Sequence, residues 1–264
     1  MNFVKKLCRT HKVVCLQETH GVKEDLFTLE SEITSHFAFG SFCASAGAGG
    51  TIILLHKSLS DSALLVGSST IQKGRALEVT ISYSVASLQF IVVHVDPAAN
   101  HGDKVALYRS IKEASLGKNE GGCFLAGDFN HQIVGEARMN LVEGCESFHH
   151  EPLAVAFDNI FVDLVELQQP ACTRAQLLGN DVLGASRIDR IYCNMFPIDV
   201  LDSHSKITTI GDIYSNNVSV TMLQSLSLCL HPHPLHLRPL PFPSGSSSTR
   251  CLRPSPTRTC TSWR

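Results

Sequence analysis

The chain has 264 residues, of which 44% are hydrophobic and 17% are charged, and its formal net charge is -2. This length and hydrophobic content are enough for an α/β domain with a buried core, and the near-neutral charge argues against a protein that coats nucleic acid through a basic surface. No apolar run approaches the roughly 20 residues that span a bilayer. The first residues are not typical of a signal peptide, and the ten scattered cysteines without a CxxC pair indicate free thiols in a reducing, intracellular compartment.

The first part of the chain alternates helix and strand patterns. Residues 3–10 predict a short helix, and VVCLQE (Val13–Glu18) predicts a strand that ends in a polar tip. GGTIILLHKSL (Gly49–Leu59) predicts a strand entered through glycines. ALEVTISY (Ala76–Tyr83) and LQFIVVHV (Leu88–Val95) are rich in β-branched and aromatic residues, which predicts a hairpin.

The pattern continues through the middle of the chain and then stops. Asp103 is expected to cap a helix over KVALYRSIKEA, and GGCFLAGDFN (Gly121–Asn130) predicts a buried strand leading into a polar loop. Apolar strands interleaved with helices favour one layered α/β domain over residues 1–217. Residues 218–264 contain no acidic residue and no lysine and are rich in Pro, Ser and Arg, which predicts a disordered tail.

Polar clusters stand at the ends of four predicted strands. They are Glu18 in LQETHG, His94 in VVHVDP, Asp128 and Asn130 in GDFN, and Asp189 in SRIDRIY. Active sites of layered α/β folds gather at strand ends, where loops converge on a rigid sheet. Because Asp supplies a hard anionic ligand and Asn both a donor and an acceptor, we expect these side chains to form one site.

Each of these residues also has a purely structural interpretation. Glu18 and Asp128 can be ordinary turn residues, and His94 can be a strand-end histidine that Asp96 satisfies. Asp189 can belong to a salt-bridge cluster with the flanking arginines. These alternatives stay open at the level of sequence.

The motifs taken together resemble the endonuclease/exonuclease/phosphatase superfamily. LQETHG, GGTIILL, VVHVDP, GDFN and SRIDRIY carry the resemblance over about residues 1–217, and LQETHG and SRIDRIY look most like endonuclease domains of non-LTR retrotransposons. The resemblance implies a four-layered α/β sandwich, in which two packed, mostly antiparallel sheets are flanked by helices. It also implies a phosphodiesterase that uses Mg²⁺ or Mn²⁺ and acts on nucleic acid, first of all on DNA. No membrane partner is expected, and a monomer is favoured although the sequence leaves the oligomeric state open.

The same resemblance implies a role for each site residue. Glu18 and Asp128 match metal-binding residues, and Asp128 also matches the aspartate that orients or activates the attacking water. Asn130 matches an asparagine that holds a phosphate oxygen, and Asp189 an aspartate that supports the site. His94 stands where the deoxyribonuclease-like and sphingomyelinase-like branches carry a histidine. A bound divalent cation masks the phosphate charge that would otherwise repel hydroxide.

Two family features are not found in this sequence. The family's first strand, which ends in an asparagine motif, has no counterpart before residue 3, so its neighbour is expected to have unpaired backbone groups. No Ser-Asp-His stands after SRIDRIY, where the family closes with that motif and a last strand. Since its histidine is the family's central acid/base, the resemblance implies impaired turnover.

The missing motif can be recovered from a shifted reading frame. One permitted set of codons for SVTMLQS (Ser219–Ser225), TCA GTG ACC ATG CTC CAG TCC, contains AGT GAC CAT GCT CCA GTC, which reads Ser-Asp-His-Ala-Pro-Val. The composition changes at the same residues. We therefore hypothesise that the tail is out of frame. A nuclear endonuclease of the retrotransposon kind, a phosphatase or lipid phosphodiesterase, and a non-catalytic remnant all stay open.

Overall fold

The computed structural model describes residues 2–44, 49–84, 86–116, 121–131, 138–140, 145–147, 152–167, 174–178, 181–186, 188–194, 206–211 and 222–227. Residues Met1–His231 form one unit, and a second unit, Pro232–Arg264, contains none of the described residues. The predicted tail beyond residue 227 therefore lies outside the description.

Helices and strands alternate along the chain much as the sequence patterns predict. The helices are α1 (Asn2–Thr10), α2 (Lys23–Glu32), α3 (His101–Leu116) and α4 (Pro152–Ile160), and a 3₁₀ turn covers Lys57–Leu59. The strands are β1 (Val13–Gln17), β2 (His36–Ser41), β3 (Thr51–His56), β4 (Leu65–Gln72), β5 (Ala76–Ser82), β6 (Ser87–His94), β7 (Gly121–Asp128), β8 (Arg138–Asn140), β9 (Cys145–Ser147), β10 (Val165–Glu166), β11 (Arg174–Leu178), β12 (Asp181–Ser186), β13 (Asp189–Cys193), β14 (Lys206–Gly211) and β15 (Met222–Ser227).

The strands form two large sheets and a smaller third one. The first sheet has the order β14-β15-β1-β3-β2, the second β10-β13-β7-β6-β5-β4 and the third β11-β12-β8-β9. Among the described strand pairs only β6 and β7 run parallel. A parallel pair needs a crossover connection, and α3 supplies it between these two strands.

The two large sheets pack face to face through alternate residues of their strands. The first sheet contributes Val13 and Cys15 from β1 and Ile53 and Leu55 from β3 to this buried layer. The second sheet contributes apolar side chains from four strands, among them Val79, Phe90, Val92, Phe124, Ala126 and Ile191. Complete burial of side chains of this size stabilises a fold by roughly 1.5–3 kcal/mol each, so this layer is the main core.

Helices cover the outer faces of both sheets. The alternate residues of β1, Val14 and Leu16, pack with Leu7 of α1 and Leu29 of α2. On the second sheet, α3 and α4 supply Leu107, Tyr108, Ile111, Leu153 and Phe157 to a further cluster. The prediction of a four-layered α/β sandwich with mostly antiparallel sheets is confirmed.

The structure differs from the sequence-based expectations in two local features. Asp103 does not cap α3 but lies in its first turn, and the Asn100 side chain accepts a hydrogen bond from the Asp103 backbone N–H at 2.9 Å. The loss of the family's first strand was expected to leave a neighbouring strand with unpaired backbone groups, but β1, the first strand of this chain, has neighbours on both sides, β3 and β15. β15 lies within the predicted tail, because Met222, Leu223 and Leu226 give this short piece enough apolar character for a strand.

Candidate active site

Three of the predicted site residues lie side by side at one end of the second sheet. In the strand register His94 of β6 is opposite Asp128 of β7, and Asp128 is opposite Asp189 of β13. Side chains alternate along a strand, and Val92 and Ala126, two positions earlier, face the first sheet. The three polar side chains therefore point into the slot between the two sheets, where the apolar layer ends.

Glu18 reaches this row from the first sheet through a strained turn. It follows β1 directly and has a φ of 50°, a backbone conformation that is uncommon for residues other than glycine. The next residue, Thr19, donates its backbone N–H to the Gly50 carbonyl at 3.3 Å. A Cβ on Gly50 would stand 2.5 Å from the Thr19 hydroxyl, so only glycine allows the close approach of this turn.

Glu18 and His94 are in direct contact across the slot. Oε1 of Glu18 lies 3.0 Å from Nε2 of His94, whose side chain is 2% exposed, while that of Glu18 is 36% exposed. The hydrogen bond with His94 lowers the pKa of Glu18, and this effect outweighs the opposing effect of burial. Glu18 is therefore ionised near neutral pH, which is the state that a metal ligand requires.

Arg75 is a member of the site that the sequence patterns did not indicate. It is the last residue of the turn between β4 and β5, and its Nη1 lies 3.0 Å from Nδ1 of His94. Its Nη2 makes a salt bridge with Asp96, so the interpretation in which Asp96 satisfies His94 is wrong. Since a guanidinium only donates, Nδ1 of His94 accepts, and the neutral ring carries its hydrogen on Nε2.

The GDFN loop holds Asp128 and Asn130 in a fixed relation. The Asn130 backbone N–H donates to Oδ1 of Asp128 at 2.8 Å, and Nδ2 of Asn130 donates to the Val95 carbonyl at 2.7 Å. Asn130 has a φ of 48°, and a Cβ on Gly127 would stand 1.9 Å from the Val93 carbonyl oxygen. One amide hydrogen of Asn130 is thus committed to the scaffold, and the second is left for a ligand.

A buried histidine supports the GDFN loop from the helix side. His131 is 2% exposed, and its Nδ1 lies 2.8 Å from the Tyr108 hydroxyl and 3.2 Å from the Phe129 carbonyl oxygen. Phe129 and Phe157 pack edge to face at 5.2 Å between ring centroids. His131 directly follows GDFN in the sequence. In the structure its ring packs among the aromatic side chains on the helix side of the sheet and does not line the slot.

Asp189 is almost fully buried, and the next residue, Arg190, forms its ion pair with Glu166. Asp189 is 2% exposed, whereas Arg190 is fully buried and its Nη1 donates to both oxygens of Glu166 at 3.0 and 3.1 Å. Arg187, the other arginine of the proposed salt-bridge cluster, lies outside the described residues. Successive side chains of β13 point to opposite faces, so Asp189 faces the slot and Arg190 does not.

The donor set of the slot fits a small, hard cation. Glu18 and Asp128 offer carboxylate oxygens, and Mg²⁺ is commonly held through one or two carboxylates with water in its other positions. Within the described ranges, no group of three or more His, Cys, Asp or Glu side chains is close enough to hold a metal by itself. A cation here would therefore keep much of its water shell.

Comparisons with known proteins agree with this fold. Residues 1–203 match the Endonuclease/Exonuclease/phosphatase family. The chain is similar in structure to the endonuclease domain of TRAS1, a telomere-specific non-LTR retrotransposon, with 11% identity and a TM-score of 0.51 over 81% of this chain and 98% of that one. It is also similar to D. rerio TDP2 complexed with a single-strand DNA product, with 15% identity and a TM-score of 0.53 over 86% and 92%.

A humanised D. rerio TDP2 gives the same identity and TM-score as the DNA-bound form and covers 86% of this chain and 93% of its own. At these identities the solved structures establish the fold alone. No curated protein sequence matches the chain. In the described part of the chain, no helix is both long and apolar enough to cross a bilayer.

Proposed function

Because the chain belongs to the endonuclease/exonuclease/phosphatase family, we propose that it is a divalent-metal-dependent phosphodiesterase that cleaves DNA, of the retrotransposon endonuclease kind. The observation that carries this proposal is the convergence of an ionised Glu18 with His94, Asp128 and Asp189 at the open end of the slot between the sheets. Retrotransposon character is supported by LQETHG and SRIDRIY, and DNA as substrate by the similarity to TRAS1 and TDP2.

Each residue of the site has a distinct proposed task. Glu18 and Asp128 hold the metal, and Asp128 also orients the attacking water. The second amide hydrogen of Asn130 donates to a phosphate oxygen whose charge grows during the reaction. A bound Mg²⁺ supplies charge neutralisation for the phosphodiester.

His94 is proposed to orient Glu18 and not to transfer a proton. Arg75 donates to its Nδ1, so Nδ1 carries no hydrogen, and the hydrogen of the neutral ring is on Nε2, the atom that lies 3.0 Å from Oε1 of Glu18. An imidazole that protonates a leaving alkoxide needs a ring hydrogen that faces the substrate, whereas the ring hydrogen of His94 is on the nitrogen beside Glu18. This arrangement leaves the leaving-group proton without a donor among the site residues described.

We therefore propose that turnover is slow. General acid–base catalysis typically contributes about 10²–10⁴-fold, and the sequence contains no Ser-Asp-His to supply the family's acid/base histidine. Positioning and charge neutralisation alone would then account for the remaining activity.

The first test separates metal binding from an inert remnant. Mg²⁺ should raise the Tm of the chain, and Asp128→Asn should abolish that rise because the substitution removes the anionic ligand. The matched control is Asp163→Asn, at a carboxylate that is 63% exposed and pairs with Lys112 at 2.9 Å, away from the site. If Mg²⁺ leaves the Tm of the unmodified chain unchanged, the proposed function is wrong.

The second test concerns the substrate. With protein in excess over supercoiled plasmid, we expect slow nicking that requires Mg²⁺ and disappears in Glu18→Gln and Asp128→Asn but not in Asp163→Asn. The same proteins are assayed with sphingomyelin and with inositol phosphates. Hydrolysis of either one without plasmid nicking would overturn the assignment to DNA and retain the family chemistry.

A further inference from the structure

Gln17 is a buried amide that the residues described leave without a hydrogen-bond partner. It is the last residue of β1 and 3% exposed, and neither its Oε1 nor its Nε2 is bonded to a described residue. Buried side-chain amides in folded proteins are nearly always paired with protein atoms or ordered water. An amide in this state next to Glu18 needs a partner that the apolar core cannot provide.

The side chain of Gln17 faces the slot and not the helices. Val13 and Cys15 lie in the layer between the sheets, whereas Val14 and Leu16 pack against α1 and α2. Gln17 is next in this alternation and therefore points between the sheets. It enters the slot immediately before Glu18, at the end where Glu18 contacts His94.

Thr51 stands beside Gln17 with a second unsatisfied group. The two residues are partners in the register of β1 and β3, and Ile53, two positions later, faces the same slot. Thr51 is fully buried, and its Oγ1 is not bonded to any residue in the described part of the chain. The floor of the slot thus offers an amide and a hydroxyl side by side.

We infer that Gln17 and Thr51 are positioning residues that accept hydrogen bonds from water molecules carried by the divalent cation. The inference rests on the proposed function. A cation held by Glu18 and Asp128 keeps several waters, each with hydrogens that need acceptors. The Gln17 amide oxygen and the Thr51 hydroxyl are uncharged acceptors on the floor of the slot, beside Glu18. A phosphate group without a metal would instead be repelled by the carboxylates of Glu18 and Asp128.

A purely structural role predicts the opposite effect on stability. If Gln17 helped to hold the fold, Gln17→Leu would lower the Tm of the metal-free protein. If its groups are instead reserved for the hydrated cation, the leucine removes unsatisfied polar atoms from a buried position. The Tm without metal then stays the same or rises by about 2–4 °C, while binding of the cation weakens.

Gln89 provides a matched control. It is also a buried glutamine, 2% exposed, and its Oε1 is likewise not bonded to a described residue, but its Nε2 donates to Glu78 at 2.6 Å and to the Ala114 carbonyl at 3.3 Å, under α3 and away from the slot. Gln89→Leu should lower the Tm and leave cation binding unchanged. Thr51→Val, a substitution of similar volume, serves as the second test variant in case Gln17→Leu fails to fold.

The experiment measures Mn²⁺ binding by titration calorimetry and the Tm without metal for the unmodified chain and the three variants. We expect Gln17→Leu and Thr51→Val to raise the Mn²⁺ Kd about 10–100-fold without lowering the metal-free Tm. An unchanged Kd in both variants, or a fall in their metal-free Tm, would overturn the inference alone. Absence of Mn²⁺ binding in the unmodified chain would overturn the proposed function as well, so the two failures are distinguishable.

Discussion

Arg75 determines the hydrogen-bonding roles at the centre of the slot. It joins Asp96 to His94, and through His94 it acts on Glu18, although it need not touch a ligand. Loss of a group that orients a metal ligand typically weakens metal affinity by about 10–100-fold. The site is therefore a network of four side chains from three segments and not a set of independent residues.

Replacement of Arg75 should weaken metal binding. Arg75→Met leaves Nδ1 of His94 without its donor, so the ring can turn or change tautomer and Glu18 loses its orientation. We expect the Mn²⁺ Kd to rise about 10–100-fold, measured by titration calorimetry. Arg109→Met, on the exposed side of α3, should leave the Kd unchanged. Equal Kd values in both variants would contradict the role assigned to Arg75.

His36 makes the stability of the fold depend on pH. Burial lowers the pKa of His36, the His11 carbonyl at 3.0 Å opposes this effect, and the nearby His56 adds to it. The pKa in the folded protein thus lies below the unfolded value of about 6.5. Between these two pKa values the unfolded chain binds more protons than the folded one. The contribution of His36 to the free energy of unfolding is therefore fully present above about pH 6.5 and decreases as the pH is lowered.

The corresponding test compares urea unfolding at several pH values. His36→Gln, whose amide can still donate to the His11 carbonyl, should show a smaller loss of stability below pH 6.5 than the unmodified chain. His101→Gln, at an exposed position in the first turn of α3, should keep the original pH dependence. Parallel curves for the unmodified chain and His36→Gln would show that another group is responsible.

The position of β7 in the second sheet depends on a close approach of its backbone to β6 at Gly127. The Val93 carbonyl oxygen would be 1.9 Å from a Cβ on Gly127, whose φ is 155°. Gly127→Ala should therefore lower the free energy of unfolding by about 2–4 kcal/mol and displace the adjacent Asp128. In Gly67→Ala on β4 the new Cβ meets nothing within 4 Å, so the change should stay within about 0.5 kcal/mol.

Urea unfolding of the two glycine variants gives the comparison directly. A small effect of Gly127→Ala, similar to that of Gly67→Ala, would mean that β6 and β7 separate easily and that Asp128 is not rigidly placed. A large effect confirms that the sheet itself fixes the position of the carboxylate.

The sequence predicted the elements that have a strong local pattern. β1, β3, β6 and β7 have apolar runs bounded by polar or glycine residues, and they form strands close to the predicted limits. Because strand ends collect at the edge of a sheet, the convergence of Glu18, His94, Asp128 and Asp189 was also predictable in outline, and their catalytic roles stay predictions. Arg75, Gln17 and Thr51 were missed, since their importance depends on contacts between distant segments and on buried groups left unpaired.

β15 includes part of the stretch for which the shifted reading frame was proposed, and it pairs with β1, the strand that leads to the site. It runs antiparallel to β1, with Leu223 opposite Leu16, so it begins beside the end of β1 that carries Gln17 and Glu18. The shifted frame encodes Asp-His across the codons of residues 220–222, and Met222 is the first residue of this strand. A histidine encoded at position 222 would be the first residue of β15, the strand that pairs with β1.

Restoring this motif should therefore restore catalysis. In the double variant Val220→Asp, Thr221→His the sequence reads Ser-Asp-His from Ser219, and we expect plasmid nicking to increase about 10²–10⁴-fold while the Mn²⁺ Kd stays the same. The control reverses the pair, with Val220→His and Thr221→Asp, and should remain slow because the histidine then stands one position earlier than in the Ser-Asp-His motif. Equal rates for the two orders would contradict the idea that a histidine at this position completes the site.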